Sequence, residues 1–201
     1  MKRLCGRLAR LAVPLVAVLS VGLAACSSEG WGVVLWGEAE SGFQTGDLLR
    51  VREESQIRKV LLVHPVDSRQ PAELPSWRVR QAPGRDEAQA EAARYAPFLR
   101  MYGYSARGGL PLREEPKTEA RQTYRLAAGQ LVKVLDRSAE KAPVGGYENY
   151  WYRVLTEDGA EGYAFGQYLP VFVTEGDPKP EVERLLARDP LLEALVGTPW
   201  R

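Results

Sequence analysis

Three runs within residues 103–173 decide the reading: YSARGGLPLREEP (104–116), YRLAAGQLVKVLD (124–136) and NYWYRVLTEDGAEGYAFGQYLPVFV (149–173). Apolar residues alternate or run on briefly and then stop at Gly, Pro or Asp-Gly, as the strands of a small antiparallel sheet do. Leu131, Val132, Val134 and Leu135 follow Gly129, and Tyr152, Val154 and Leu155 lead into Glu157-Asp158-Gly159. Asp-Gly suits a tight hairpin because glycine accepts a positive φ. The predicted return strand is Gly162-Tyr163-Ala164-Phe165, and a last short strand holds Tyr168, Leu169 and Val171. Leu112, Val132, Val134, Val154 and Phe165 are the candidate core.

Working outward, residues 43–98 repeat this plan in a degenerate form. Phe43 to Val51 parallels Tyr124 to Val134, Trp77-Arg-Val79 parallels Trp151-Tyr-Arg-Val154, and Arg94 to Phe98 parallels Gln167 to Phe172. Such a repeat predicts two tandem modules, 31–100 and 103–173. The first carries an extra apolar strand, Ile57 to Val63, and a Pro-containing loop, His64 to Ser76. Its second hairpin arm is replaced by a helix in which Ala88, Ala92 and Tyr95 share a face and Asp86 is the expected cap. In the tail, 174–201, Val182, Leu185 and Leu186 form one helical stripe; Leu191, Leu192 and Leu195 form a second after Asp189-Pro190. An apolar stripe needs cover, either these sheets or a further element of a longer chain.

Strand by strand, Leu110-x-Leu112-Arg113, Gly129-x-x-Val132-x-Val134, Trp151-x-x-Val154 and Gly162-Tyr163-x-Phe165, closing on Tyr168-Leu169, resemble a bacterial SH3 (SH3b) domain. Tyr163 stands where that family most often has Trp, and Pro111 where Asn is common, departures that bear on ligand preference. The resemblance implies a mainly β fold of two tandem SH3-like small β-barrels with a short inter-module helix and a helical tail. It names a module rather than an activity.

The N-terminus says where such a module would work. Residues 1–25 open with Lys2, Arg3, Arg7 and Arg10 and continue with an apolar run too short for a comfortable membrane span. They end in Leu23-Ala24-Ala25-Cys26, which resembles the bacterial lipobox and implies cleavage before Cys26 and lipid attachment to its sulfur. Several acyl chains hold a protein on a membrane durably where one does not. Residues 26–30 are then a short tether, so Trp31 and Trp36 lie near the bilayer; core packing is their expected role, headgroup contact the alternative. Ser27 after Cys26 tilts the expectation towards an outer membrane, facing the periplasm, rather than an inner one.

Composition narrows the function. The two cysteines are Cys5, inside the signal, and Cys26, so no disulfide is expected in the mature chain. The signal takes four of 27 basic residues and none of the 26 acidic ones, leaving a slightly acidic protein without the clustered positive surface that nucleic acid requires. His64 is the single histidine, no Gly-x-Ser-x-Gly is present, and no second ligand accompanies His64 for a metal. No catalytic residue, metal or cofactor is expected. Glu53-Glu54 and Glu114-Glu115 read as solvated faces.

The aromatic cluster around Tyr147, Tyr150, Trp151 and Tyr152 is the candidate ligand site, with Arg153 and Tyr163 added to Tyr147, Tyr150 and Trp151 as ligand-binding residues. Strand alternation puts Tyr152 with Val154 on one face and Trp151 with Arg153 on the other. Since Arg prefers water, Trp151 is expected in an open groove; the alternative packs it under the tail or against the Tyr147 loop. Trp77 is one residue closer to its Val and is expected to be core. Two functions fit: a membrane-anchored envelope module binding peptidoglycan or an extended peptide, and a structural lipoprotein docking an envelope protein through its first module and tail.

Overall fold

The computed structural model describes residues 30–37, 42–67 and 70–188, and it is mainly β. The first module is a meander: β1 (Gly30–Val34), β2 (Leu48–Ser55), β3 (Val60–Pro65) and β4 (Ala72–Pro75) pair antiparallel in turn. A 3-10 turn, Ser76–Arg78, then leads to β5 (Val79–Ala82), which returns to the free edge of β1. The sheet order is β4-β3-β2-β1-β5. Alternation sets its core: Leu49 and Val51 from β2 and Leu61 and Val63 from β3 point inward with Val34, Phe43, Leu74 and Val79. The extra apolar strand predicted from Ile57 begins at Val60; Ile57 sits on the turn before it and is 96% exposed. The predicted loop 64–76 holds the end of β3 and all of β4.

Helix α1 (Arg85–Tyr95) follows, with Ala88 and Tyr95 buried against β1 and β5. Its cap is Gly84, not Asp86, which lies inside the first turn, where its charge favours the helix end without a side-chain cap. The second module comprises β6 (Met101–Tyr104), β7 (Leu110–Arg113), β8 (Gln122–Leu126), β9 (Leu131–Arg137), β10 (Ala142–Val144), β11 (Tyr147–Asn149), β12 (Trp151–Thr156), β13 (Glu161–Phe165) and β14 (Val171–Val173). Strands β10 and β11 form a separate hairpin; the rest make one sheet, β14-β6-β9-β12-β13-β7-β8.

From the other edge, β5-β1-β2-β3-β4 and β14-β6-β9-β12-β13 are one plan used twice, with the β7–β8 hairpin inserted after the first strand of the second copy. Two of the predicted equivalences therefore change. The first strand of the second module is β6, ahead of Leu110, and Trp77 lies on a 3-10 turn whose counterpart is Gly166–Tyr168 rather than the Trp151 strand. Tyr95 is a helix end, not a match for Tyr168. Both sheets are open, so the predicted barrels are not closed by hydrogen bonds.

Leu110, Leu112, Leu126, Val132, Val134, Tyr152, Val154, Ala164 and Leu169 form the second core. A third core lies between the modules: Val33, Leu35 and Trp36 from the first, Tyr95 and Ala88 from α1, and Tyr102, Tyr104, Leu131, Leu135 and Leu155 from the second. Strand β9 shows the logic, with Val132 and Val134 turned into its own module and Leu131 and Leu135 turned the other way. Helix α2 (Pro178–Arg188) covers this third core with Val182, Leu185 and Leu186. The stripe Leu191, Leu192 and Leu195, the lipobox and Cys26 lie outside the described residues.

Lys133 shares the inter-module face of β9 and is wholly buried. Its Nζ donates to the carbonyl oxygens of Phe98 at 2.5 Å and Met101 at 2.8 Å and stands 4.5 Å from the centre of the Tyr102 ring. Burial pushes its pKa down to about 7, while the carbonyls and the ring face favour the ammonium. The linker between the modules is thereby tied to the second sheet.

Candidate functional site

The β12–β13 ladder places the predicted site residues. Its register pairs Trp151 with Phe165, Arg153 with Tyr163 and Leu155 with Glu161, so these six side chains share one face. That face is turned towards the first module at Leu155 and Arg153. Arg153 is ion-paired to Glu161, whose other oxygen accepts from Arg80 Nη2 on β5 at 2.7 Å. Arg80 in turn is hydrogen-bonded to Tyr95, whose hydroxyl pKa is raised by desolvation in spite of that bond. The arginine that was expected to point into water thus holds a half-buried charge network between the modules.

Trp151 departs from its expected place as well. It is 3% exposed, packed on Phe165 at 5.4 Å between ring centres, with its backbone tied in both directions to Ser138. Trp151 is enclosed beside Phe165 and is not displayed in a groove. Trp77, expected to be core, is only partly buried in its own module and completes the contact between the two. Tyr163 is Arg153's cross-strand partner and shares its face.

Tyr147 and Tyr150 behave differently. Tyr147, on β11, is 47% exposed and meets Tyr168 edge-on at 6.1 Å. Tyr168 belongs to the Gly166–Tyr168 turn, which is held against β11 and β12 by Gly166 N–H donating to the Tyr150 carbonyl. Opposite, Ala106 N–H donates to the Tyr168 carbonyl, which brings Arg107 over the Tyr168 ring at 3.5 Å. Tyr150 carries Arg137 at 4.2 Å and Lys141 at 5.8 Å and leans on Tyr152 at 6.4 Å. The result is two ring and cation groups, Tyr147 and Tyr168 with Arg107 and Tyr150 with Arg137 and Lys141, whose segments are joined by the bond from Gly166 N–H to the Tyr150 carbonyl.

Such a surface has a defined chemistry. The rings offer flat apolar area with little side-chain entropy to lose, and their hydroxyls remain available. The cations lie over ring faces, which holds them in place, and none of the three has a carboxylate partner among the described residues. The site therefore suits an extended ligand with apolar stretches and carboxylates. Tyr168, Arg107, Arg137 and Lys141 were not singled out from the sequence. Their signal was weak, since Arg107, Lys141 and Tyr168 sit in loops or turns and Arg137 ends β9, and only tertiary pairing brings them towards Tyr147 and Tyr150. His64 lies on β3 opposite Arg50, with no metal-binding cluster of His, Cys, Asp and Glu among the described residues.

Comparison with known proteins follows the same division. A relative from Treponema pallidum (strain Nichols), described as an uncharacterized protein, is 35% identical over 191 residues; the match takes in 92% of this chain and 42% of the relative. The chain thus spans less than half the length of that relative. A solved structure of NlpC2 from Trichomonas vaginalis aligns with 72% of this chain and 48% of that one at 11% identity, with a TM-score of 0.26, too distant to carry an argument. Residues 29–97 match the N-terminal SH3 domain of the TP0260 family and residues 108–170 match the bacterial SH3 domain, so this chain is a tandem of two SH3-like modules.

Proposed function

We propose that the second module binds an extended, carboxylate-bearing peptide of the cell envelope, with the stem peptides of peptidoglycan as the foremost ligand class, and that lipidated Cys26 holds the protein at a membrane. SH3 domains are typically binding modules, and the tyrosine and cation surface supports that role here. The observation that carries the proposal is exposed Tyr147 against half-buried Tyr168 with Arg107, next to half-buried Tyr150 with Arg137 and Lys141. Rings would stack on the peptide's apolar segments, and the cations would take its carboxylates through charge-assisted hydrogen bonds. The Leu23-Ala24-Ala25-Cys26 sequence supports the envelope setting, with the outer membrane as the favoured site.

The test is titration of full-length protein with soluble muropeptides by calorimetry, beside pull-down on purified peptidoglycan. Tyr147→Ala and Arg107→Ala should each weaken binding at least tenfold, since aromatic and arginine anchors commonly cost about 2 kcal/mol or more on truncation. Wild-type protein that binds neither material, or variants that bind as wild type, would reject the assignment.

A further inference from the structure

We infer that the first module is the seat of the second, locked by the Asp158-Gly159 hairpin of the second module, which packs on Trp77 of the first. The two modules share one strand plan, so their surfaces can be compared position by position. In the second, the 3-10 turn before the last strand presents Tyr168 to solvent-facing Tyr147. In the first, the equivalent turn presents Trp77 to Trp36, edge-on at 5.9 Å and 86°. Trp36 continues to Tyr102 of the second module at 6.1 Å, and both tryptophans join the inter-module core.

The hairpin contact is identified by a glycine. At Gly159 φ is +87°, which a residue with a side chain rarely adopts, and a Cβ there would lie 2.8 Å from both Cβ and Cγ of Trp77. A tight turn alone needs the first property; only a hairpin pressed onto the indole needs the second. Around this contact Arg80 reaches from β5 to Glu161, two residues beyond Gly159, and Lys133 holds the carbonyls of Phe98 in the linker and of Met101 at the start of β6. Apolar, ionic and linker contacts all fix the same arrangement. The Tyr147 and Tyr168 surface of the second module is accordingly held in a fixed orientation to the first module.

Hydrogen exchange on the full chain, read by mass spectrometry, tests this without needing a ligand. In wild type, residues 35–37, the linker 96–101 and the hairpin 157–160 should exchange far more slowly than the exposed turn 56–59. Trp77→Ala, which leaves the hairpin backbone unstrained, should raise exchange in the linker and hairpin at least tenfold while Leu61, Val63 and Val154 keep their protection. Gly159→Val should do the same from the other side. Wild-type exchange in 35–37 and 157–160 as fast as in the exposed turn would overturn the inference, as would a folded Trp77→Ala protein with unchanged exchange in 157–160. Should Trp77→Ala not fold, the wild-type pattern alone decides.

Discussion

Trp151→Ala separates the two ways of reading the β12–β13 face. A displayed Trp would leave stability nearly untouched on truncation, within about 0.5 kcal/mol. The structure instead buries it to 3% exposure against Phe165 and the Ser138 backbone. A buried aromatic side chain removes roughly 150–250 Å² from water. At about 25 cal/mol per Å² that is about 4–6 kcal/mol, and allowance for burial already present in the unfolded chain brings it to about 3–5 kcal/mol. This agrees with the usual cost of Trp→Ala in a core, about 3–5 kcal/mol. Urea unfolding followed by far-ultraviolet circular dichroism measures it, since tryptophan fluorescence would itself change with the substitution. A loss of at least about 2.5 kcal/mol with an unchanged denaturant slope is expected. A loss below about 1 kcal/mol would mean that the side chain is not enclosed.

Other expectations bear on other links. Lys133 titrates near 7 in the folded chain and 10.5 when unfolded, so between these values the unfolded state binds more protons and stability should rise with pH. The slope is at most about 1.4 kcal/mol per pH unit, read from urea midpoints between pH 7 and 9.5, and Lys133→Met should abolish it. Val134→Ala should cost on the order of 1–4 kcal/mol by cavity formation in the second core, checked by thermal and urea melts. A double-mutant cycle on Arg80 and Glu161 should give a coupling of about 1 kcal/mol, because both side chains are half-buried and hydrogen-bonded; a coupling near zero would remove them from the inter-module contact. Intact mass of membrane-extracted protein should show loss of residues 1–25 plus lipid on Cys26, and Cys26→Ala should release the protein from membranes.

The modules were legible in the sequence because alternation is a local property. Leu112, Val132, Val134 and Val154 repeat with the period of a strand, and each is fully buried. What the period does not carry is the identity of the second neighbour. Leu131, Leu135 and Leu155 have the same alternation on the opposite face, and a sheet face with apolar residues at that spacing is a surface awaiting cover. Arg153 between them suggested water, yet a charged residue at a covered face is stable when a partner of opposite sign is brought to it, and Glu161 with Arg80 is that partner. The pairing joins residues 80 and 161, a separation at which no local pattern speaks. The same limit explains the ligand surface. Tyr147 and Tyr150 stood out as a dense aromatic run, whereas Tyr168 and Arg107 reach them only because Gly166 N–H and Ala106 N–H are held by Tyr150 and Tyr168 carbonyls across the fold. The order of strands decides which face each tryptophan meets, and that order was misassigned by one strand at β6. Trp151 and Trp77 were consequently exchanged in role: one lies enclosed beside Phe165, and the other closes the joint between two modules that the sequence had presented as independent.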